Sequence, residues 1–313
     1  MDLVMEAVGL QKTFGNGVRA VDDVSLRVGA GQTLGIVGES GCGKSTTARI
    51  LLRLLAPDSG SVAFEGNDIT KLRGRSLRRL RSRLQVVPQN PQTSLNPRLT
   101  VEDSIAFNLR VHKARASIPD LLARVGLDPQ YAARYPHQLS GGQLQRVAIA
   151  RALATSPSLV ICDEPVSALD KSVQAQVLNL LAELQRDLGV SYVFISHDLG
   201  VVEHIADRVL VMYAGRVVEE GAAGQLWSSS LHPYTRALLS ATPGRERERI
   251  VLTGELPSRR GEFAGCAFRS RCPEAEERCA TGRPELVAID GDPTPSPEAH
   301  RGACIHVLER SPA

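Results

Sequence analysis

Glycines, a lysine and a hydroxyl fall at one fixed spacing in Gly38-Glu39-Ser40-Gly41-Cys42-Gly43-Lys44-Ser45, which fits the pattern G-x-x-x-x-G-K-[ST] in full. The chemistry this suits is the holding of a polyphosphate. The glycines let the backbone curl so that successive N–H groups face one centre, and a helix starting there adds roughly half a positive charge. Lys44 then reaches the β- and γ-phosphates and Ser45 offers a hydroxyl to Mg²⁺, with Thr46 next along the same turn.

The run Leu159-Val160-Ile161-Cys162-Asp163-Glu164 offers the complementary acids. An apolar strand that ends in two carboxylates sets them at the carboxyl edge of a sheet, where open α/β folds bind ligands. Asp163 would hold Mg²⁺ directly or through water, and Glu164 would polarise an attacking water. Paired acids after a strand also occur as a solvated helix start; the phosphate loop upstream is what favours the catalytic reading. His197, in Ser196-His197-Asp198, can sense a γ-phosphate and its water from a strand end. Gln89, after the strand-like 84–87, is a water and Mg²⁺ contact of the same kind. Either residue, met alone, would pass for an ordinary polar group.

The elements that must carry these groups follow from the apolar patterning. Short runs at 33–37, 159–162 and 192–195 are apolar on both faces, as central parallel strands covered by helices require. A helix is predicted over 46–55, ended by the turn Pro57-Asp58-Ser59-Gly60. Residues 18–28 and 208–218 alternate in the antiparallel manner, the latter turning at Ala214-Gly215, and suggest a smaller β layer beside the parallel sheet. From about 90 to 156 the chain reads as helical and strand-poor, an inserted helical subdomain. Beyond residue 242 mixed Pro, Gly, Arg and Glu without periodicity read as a linker.

Leu139-Ser140-Gly141-Gly142-Gln143, ahead of a helical stretch, resembles the signature sequence of the ABC ATPases. Physically it is a second anion site, in which Ser140 caps a helix and the glycines bare its N–H groups. The motifs also follow that family's order: phosphate loop at Lys44, Q-loop at Gln89, signature at Ser140, acids at Asp163 and Glu164, D-loop at Ser167-Ala168-Leu169-Asp170, switch at His197. The resemblance implies an α/β P-loop NTPase of ABC type that hydrolyses ATP with Mg²⁺. Its sheet would be mostly parallel, with an antiparallel layer and a helical insertion. It also implies that the signature of one subunit, through Ser140, Gly141, Gly142 and Gln143, closes over ATP held by another, with Asp170 at that contact. Phe14, in Lys12-Thr13-Phe14-Gly15, stands where the family stacks an aromatic ring on adenine; burial in a core is the competing reading.

Gln92-Thr93-Ser94-Leu95-Asn96-Pro97, Tyr135-Pro136-His137-Gln138 and His232-Pro233-Tyr234-Thr235 resemble the peptide and nickel importer branch of that family. The resemblance implies uptake of dipeptides or oligopeptides, with nickel or another small solute as the alternative and a soluble ABC-type regulator as the rival class. It further implies a second, non-identical ATPase subunit, two transmembrane permeases, an extracytoplasmic peptide-binding protein, and a peripheral place on the cytoplasmic membrane face. Residues 90–98 would receive a permease coupling helix. Lys171 departs from the apolar residue associated with its position. The arginine-rich stretch 73–83 lacks interleaved aromatics and reads as a solvated helix face, so no nucleic-acid partner is expected.

Four of the six cysteines lie near the end, at Cys266, Cys272, Cys279 and Cys304. In a cytosolic chain such clustering suggests metal before disulfide. The segment resembles the carboxyl-terminal extension of peptide-importer ATPases, and four thiolates suit a [4Fe-4S] cluster or Zn²⁺. The absence of close C-x-x-C pairs favours iron-sulfur over zinc. His300 and His306 are conceivable substitutes for a ligand. The domains expected are therefore an ATPase domain at 1–235, a linker at 236–265 and a cysteine-bearing extension at 266–313.

Composition agrees with this outline. The chain has 313 residues, 42% hydrophobic and 23% charged, which excludes wholesale disorder and a membrane-embedded chain. Its net charge of +3 does not argue for nucleic acid. Residues 1–10 do not read as a signal peptide, and no apolar run approaches the roughly 18 residues of a spanning helix.

Overall fold

Strands β1 (Leu3–Thr13) and β2 (Arg19–Gly29) alternate buried apolar and exposed polar side chains, the pattern of a sheet with one face covered. They pair with each other and with β4 (Ser59–Phe64) and β5 (Asn67–Asp68) in an antiparallel sheet of order β2-β1-β4-β5. The structure is a computed structural model and describes residues 2–242, 248–255, 257–261, 264–289 and 299–308.

The second sheet has order β11-β12-β10-β9-β3-β8-β7-β6. Its middle is parallel: β6 (Leu84–Val87), β7 (Leu159–Asp163), β8 (Ser191–Ser196), β3 (Thr33–Val37) and β9 (Arg208–Tyr213). β3 and β8 are buried along their whole length, as strands covered on both faces must be. The expected antiparallel layer therefore holds 18–28 but not 208–218. β9 pairs in parallel with β3, and the hairpin it makes with β10 (Arg216–Ala222) extends the large sheet. Its run Val209–Tyr213 is buried on both faces, which the alternation argument did not anticipate.

Two cores flank the large sheet. One lies between the sheets, where Met5, Leu10, Val24 and Phe64 meet Ile36, Ile161 and Ile195, with Ile50 and Leu51 of helix α1 (Lys44–Leu51) between them. α1 is shorter than the predicted 46–55, because the chain turns at Arg53 with φ 53°. α2 (Gly74–Arg83) buries only Leu80, so its arginines form the solvated face expected.

The other core lies on the opposite face of the sheet. Between β6 and β7 the described chain is helical: α3 (Pro91–Ser94), α4 (Val101–His112), α5 (Ile118–Arg124) and α6 (Gly141–Leu153), with short 3-10 turns. α6 packs Leu144, Val147 and Leu153 with Val101 and Ile105 of α4, while α7 (Lys171–Leu188) and α8 (Leu199–Ile205) cover β8. α9 (Ala223–Ser229) and α10 (Pro233–Ser240) follow β10, and α10 carries helix into the stretch 236–265 expected as a linker.

The tail joins this framework. β12 (Arg301–Gly302) pairs with β10 and with β11 (Val287–Ala288), and α11 (Ile305–Leu308) packs Val307 against Leu231. Glu219 of β10, wholly buried, fastens the seam. Its carboxylate accepts the Leu231 and His232 N–H groups at 2.8 Å each and stands 2.8 Å from His300 Nε2.

Candidate active site

β3 delivers the chain into the phosphate loop, and α1 begins at Lys44. The backbone leaves no choice of residue at two points. Gly38 (φ 152°) and Gly43 (φ 116°) sit so close to the Met212 and Ala20 carbonyl oxygens that a Cβ at either would clash with backbone. Lys44 is 4% exposed, and its Nζ donates to the carbonyls of Gly38 (2.7 Å) and Glu39 (3.0 Å). Its Nζ also lies 4.0 Å from Cys42 Sγ, so the contacts that hold this buried amine are neutral acceptors, a setting suited to an anion. Ser40 and Gly41 are exposed at the loop tip; Cys42 is buried, and burial pushes its thiol pKa up. Thr46 is half-buried in the first turn of α1.

The acids come from the neighbouring strand end. Ser45 Oγ donates to Asp163 Oδ1 at 3.0 Å. Burial raises the Asp163 pKa, the Ser45 hydrogen bond lowers it, and the Glu164 charge raises it again, for a net upward shift. Two hard oxygen donors thus meet at one point beside the phosphate loop, the donor set Mg²⁺ favours, so these residues fit that ion. Glu164 has φ 49°, in the left-handed region, and its N–H donates to the Ile195 carbonyl at 2.9 Å. Its Oε2 accepts from Gln89 Nε2 at 2.9 Å and lies 3.2 Å from His197 Nδ1. Strands β6, β7 and β8 end side by side, so Gln89 and His197, far apart in sequence, converge on the Glu164 carboxylate.

The remaining predicted residues lie elsewhere. Ser140 caps α6, accepting from Gln143 N–H at 3.3 Å, while Gln143 Oε1 accepts the Ser140 N–H at 2.9 Å. Gln143 Nε2 reaches Tyr131 Oη at 3.1 Å, and Gly141 and Gly142 lie against Leu169 and Val173. Asp170 caps α7 through Val173 N–H at 2.9 Å. These contacts tie the signature to α7 and to the helical insertion. Phe14 is 41% exposed, which removes the core reading for its ring. A cavity of about 650 Å³ lies away from all of this, lined by Val8, Arg27, Arg208 and Glu220, so cavity size does not locate the site.

The four tail cysteines are free thiols that line a single cavity of about 10 Å³ with His232 and His306. Burial raises the pKa values of Cys266 and Cys304 and pushes that of Cys272 up to about 11. Among the described residues no group of three or more His, Cys, Asp or Glu is arranged to hold a metal ion, so the expected metal centre has no coordinating geometry here. His300 is committed to Glu219.

Residues 21–167 match the ABC transporter family, and residues 218–279 match the oligopeptide/dipeptide transporter carboxyl-terminal region. A probable peptide ABC transporter ATP-binding protein, y4tS of Sinorhizobium fredii, is 52% identical over 306 residues, covering 95% of this chain and 84% of that protein. The chain belongs to the ABC transporter ATP-binding proteins. It is an ATP-hydrolysing cassette of the P-loop fold, as its motif order implied.

Other ABC relatives are similar at the same level. The oligopeptide transport ATP-binding protein OppF of Salmonella typhimurium is 50% identical over 282 residues, 86% of this chain and 84% of that protein. The dipeptide transport ATP-binding protein DppF of Escherichia coli is 49% identical over 284 residues, 88% and 85%. Among solved structures, the ABC cassette MJ0796, captured as a post-hydrolysis dimer with ADP and Pi, aligns with a TM-score of 0.63 and 30% identity over 70% of this chain and 98% of that one.

Sequence reasoning left three contributors to this ABC site unnamed. Tyr234 Oη accepts the Glu39 N–H at 2.9 Å, Arg271 pairs with the Glu39 carboxylate, and an Arg259 guanidinium nitrogen stands 3.9 Å from where a Cβ on Gly41 would lie. The arginines come from beyond residue 235, and no local pattern pairs them with the loop. Tyr234 falls within His232-Pro233-Tyr234-Thr235, a run that carries no local sign of that contact.

Proposed function

We propose that this ABC ATPase powers the import of dipeptides or oligopeptides, working as a peripheral subunit on the cytoplasmic face of the membrane. The observation that carries this reading is the match of residues 218–279 to the oligopeptide/dipeptide transporter carboxyl-terminal region, alongside the peptide-transport names of the relatives. Among the described residues no helix is long and apolar enough to cross a membrane, so docking on permease subunits is part of the proposal. An extracytoplasmic peptide-binding protein would select the solute.

Within the site, Lys44 and the loop N–H groups hold the phosphates of ATP and orient the γ-phosphoryl group. Glu164, steadied by Gln89 and His197, directs a water at it and accepts the water proton as ADP and phosphate form. Ser45 and Asp163 would hold Mg²⁺, which when bound would neutralise developing phosphate charge. Ser140 and Gly142 would complete the site of a second, non-identical ATPase subunit, with Asp170 at the seam and Phe14 under adenine. Support comes from the signature's setting, with Ser140 capping α6, Gln143 reaching Tyr131 and Gly142 lying against Val173 of α7.

The same reading divides the chain into an ATPase domain at 1–235 with its helical insertion at about 90–156, a linker at 236–265 and an extension at 266–313. It also carries an iron-sulfur cluster or Zn²⁺ at Cys266, Cys272, Cys279 and Cys304, which would require these thiols to shift from the positions seen here, where they line one cavity of about 10 Å³ without coordinating geometry. Iron and zinc analysis with an anaerobic absorption spectrum tests that assignment. Peptide import is tested by uptake of labelled dipeptides, oligopeptides and nickel in cells with and without this chain. Loss of peptide uptake on deletion is the expected result; unaltered peptide uptake with lost nickel uptake would overturn it.

A further inference from the structure

Glu39 places a carboxylate in a loop built to hold phosphates, and the fold deals with it from a distance. Its carbonyl faces inward to Lys44, while its side chain turns to Arg271, which donates from Nη1 to Oε2 at 2.8 Å and from Nη2 to Oε1 at 3.1 Å. The pair is bidentate, the geometry in which Arg holds a carboxylate most specifically. It is also shielded, with the two side chains 10% and 26% exposed.

Arg271 is aimed by an anchor of its own segment. Phe268, 1% exposed, packs edge-on to Tyr213 with centroids 5.2 Å apart, and tilted against Tyr234 at 5.4 Å and His232 at 5.6 Å. The Arg271 N–H donates to the Phe268 carbonyl at 2.9 Å, one 3-10 turn on. Tyr234 from the same aromatic group accepts the Glu39 N–H. Glu39 is thus held at backbone and side chain by one aromatic-anchored cluster, 232 residues away in sequence at its arginine.

We propose that the carboxyl-terminal segment is a working part of the nucleotide site in cis, with Arg271 as a positioning residue that holds the Glu39 carboxylate and so sets ATP affinity. Freed from Arg271, that carboxylate is within the same loop as Lys44, and a carboxylate beside an ammonium competes with phosphate for it. The effect belongs to binding and not to the chemical step, since Arg271 touches neither Glu164 nor the Ser45–Asp163 pair. Uniform binding of this kind moves KM and leaves kcat.

The test uses the full-length chain and a non-hydrolysable ATP analogue with Mg²⁺. Arg271→Ala is expected to weaken binding about tenfold, about 1.4 kcal/mol. The double variant Glu39→Gln/Arg271→Ala is expected to return to within about twofold of the parent, because the neutral amide cannot compete for Lys44. Glu39→Gln by itself keeps Arg271 and the anchor, and is expected to bind at least as tightly as the parent. Unchanged affinity in Arg271→Ala, failure of Glu39→Gln to restore it, or weaker binding by Glu39→Gln alone would each overturn the proposal. A purely structural role for Arg271 predicts a lowered nucleotide-free Tm in Arg271→Ala, whereas the positioning role predicts weaker binding at an unchanged Tm, so a thermal melt of that variant separates the two and a fall in Tm that accounts for the weaker binding would overturn the proposal.

Discussion

Ser45 Oγ and Asp163 Oδ1 are joined at 3.0 Å, which ties the first turn of α1 to the end of β7. Asp163 is held above its ordinary pKa chiefly by burial, so its charge is unfavourable in the fold. A carboxyl with a raised native pKa binds more protons folded than unfolded, so its contribution to stability falls as pH rises from 3.8 through the raised value. Asp163→Asn removes that charge. Its nucleotide-free Tm at neutral pH should be no lower than the parent's, while the Tm gain from Mg²⁺ with ATP is lost, as thermal melts with and without Mg²⁺ will show.

Glu164 occupies a left-handed backbone position, a conformation that glutamine tolerates no better and no worse. Glu164→Gln keeps the shape and the reach to Gln89 while removing the base. ATP binding should persist and turnover should drop about 100-fold or more, read by phosphate release at saturating ATP. Hydrolysis near the parental rate would remove Glu164 from its role.

His232 is buried at the N-cap of α10, and burial pushes its pKa down to about 4. A histidine depressed in the fold binds fewer protons than in the unfolded chain between about 4 and 6.5, so stability is lost as pH falls through that window. The loss between pH 7 and pH 4.5 should be roughly 2 kcal/mol larger than in His232→Asn, which keeps a capping acceptor for the Tyr234 N–H. Urea melts of both proteins at the two pH values measure it.

Gly142 meets α7 closely: a Cβ there would lie 2.6 Å from Val173 Cγ1. Gly142→Ala should therefore cost about 1–3 kcal/mol of stability through overpacking, apart from any effect on a bound nucleotide. Adding Val173→Ala should recover part of the stability. If ATPase activity recovers with it, the glycine matters for packing; if activity stays low, it matters for approach to the phosphate. Ser140→Ala should cost about 1 kcal/mol as a lost cap.

The residues that can act on a phosphate were legible in the sequence because their geometry is local. Gly38, Gly41 and Gly43 with Lys44 and Ser45 build the loop whatever surrounds it, and Ser140 with Gln143 closes its capping box within one turn. Gln89, Glu164 and His197 could be named because parallel strands end on one edge. Their meeting at Glu164 Oε2 depends on the adjacency of β6, β7 and β8, which the tertiary structure decided. Alternation in 208–218 pointed to a separate layer, since period-2 patterning reports which faces are apolar and not which strand is the partner.

The sequence by itself determined the chemistry: a phosphate loop, two acids and a capped signature in one order. Only the tertiary structure decided that the tail extends the large sheet, that Phe268 keys it to Tyr213 and Tyr234, and that Arg271 reaches Glu39. The reason is range. Caps and loops are set by neighbours a few bonds away, whereas an ion pair across 232 residues exists only once the packing that brings both ends together has formed.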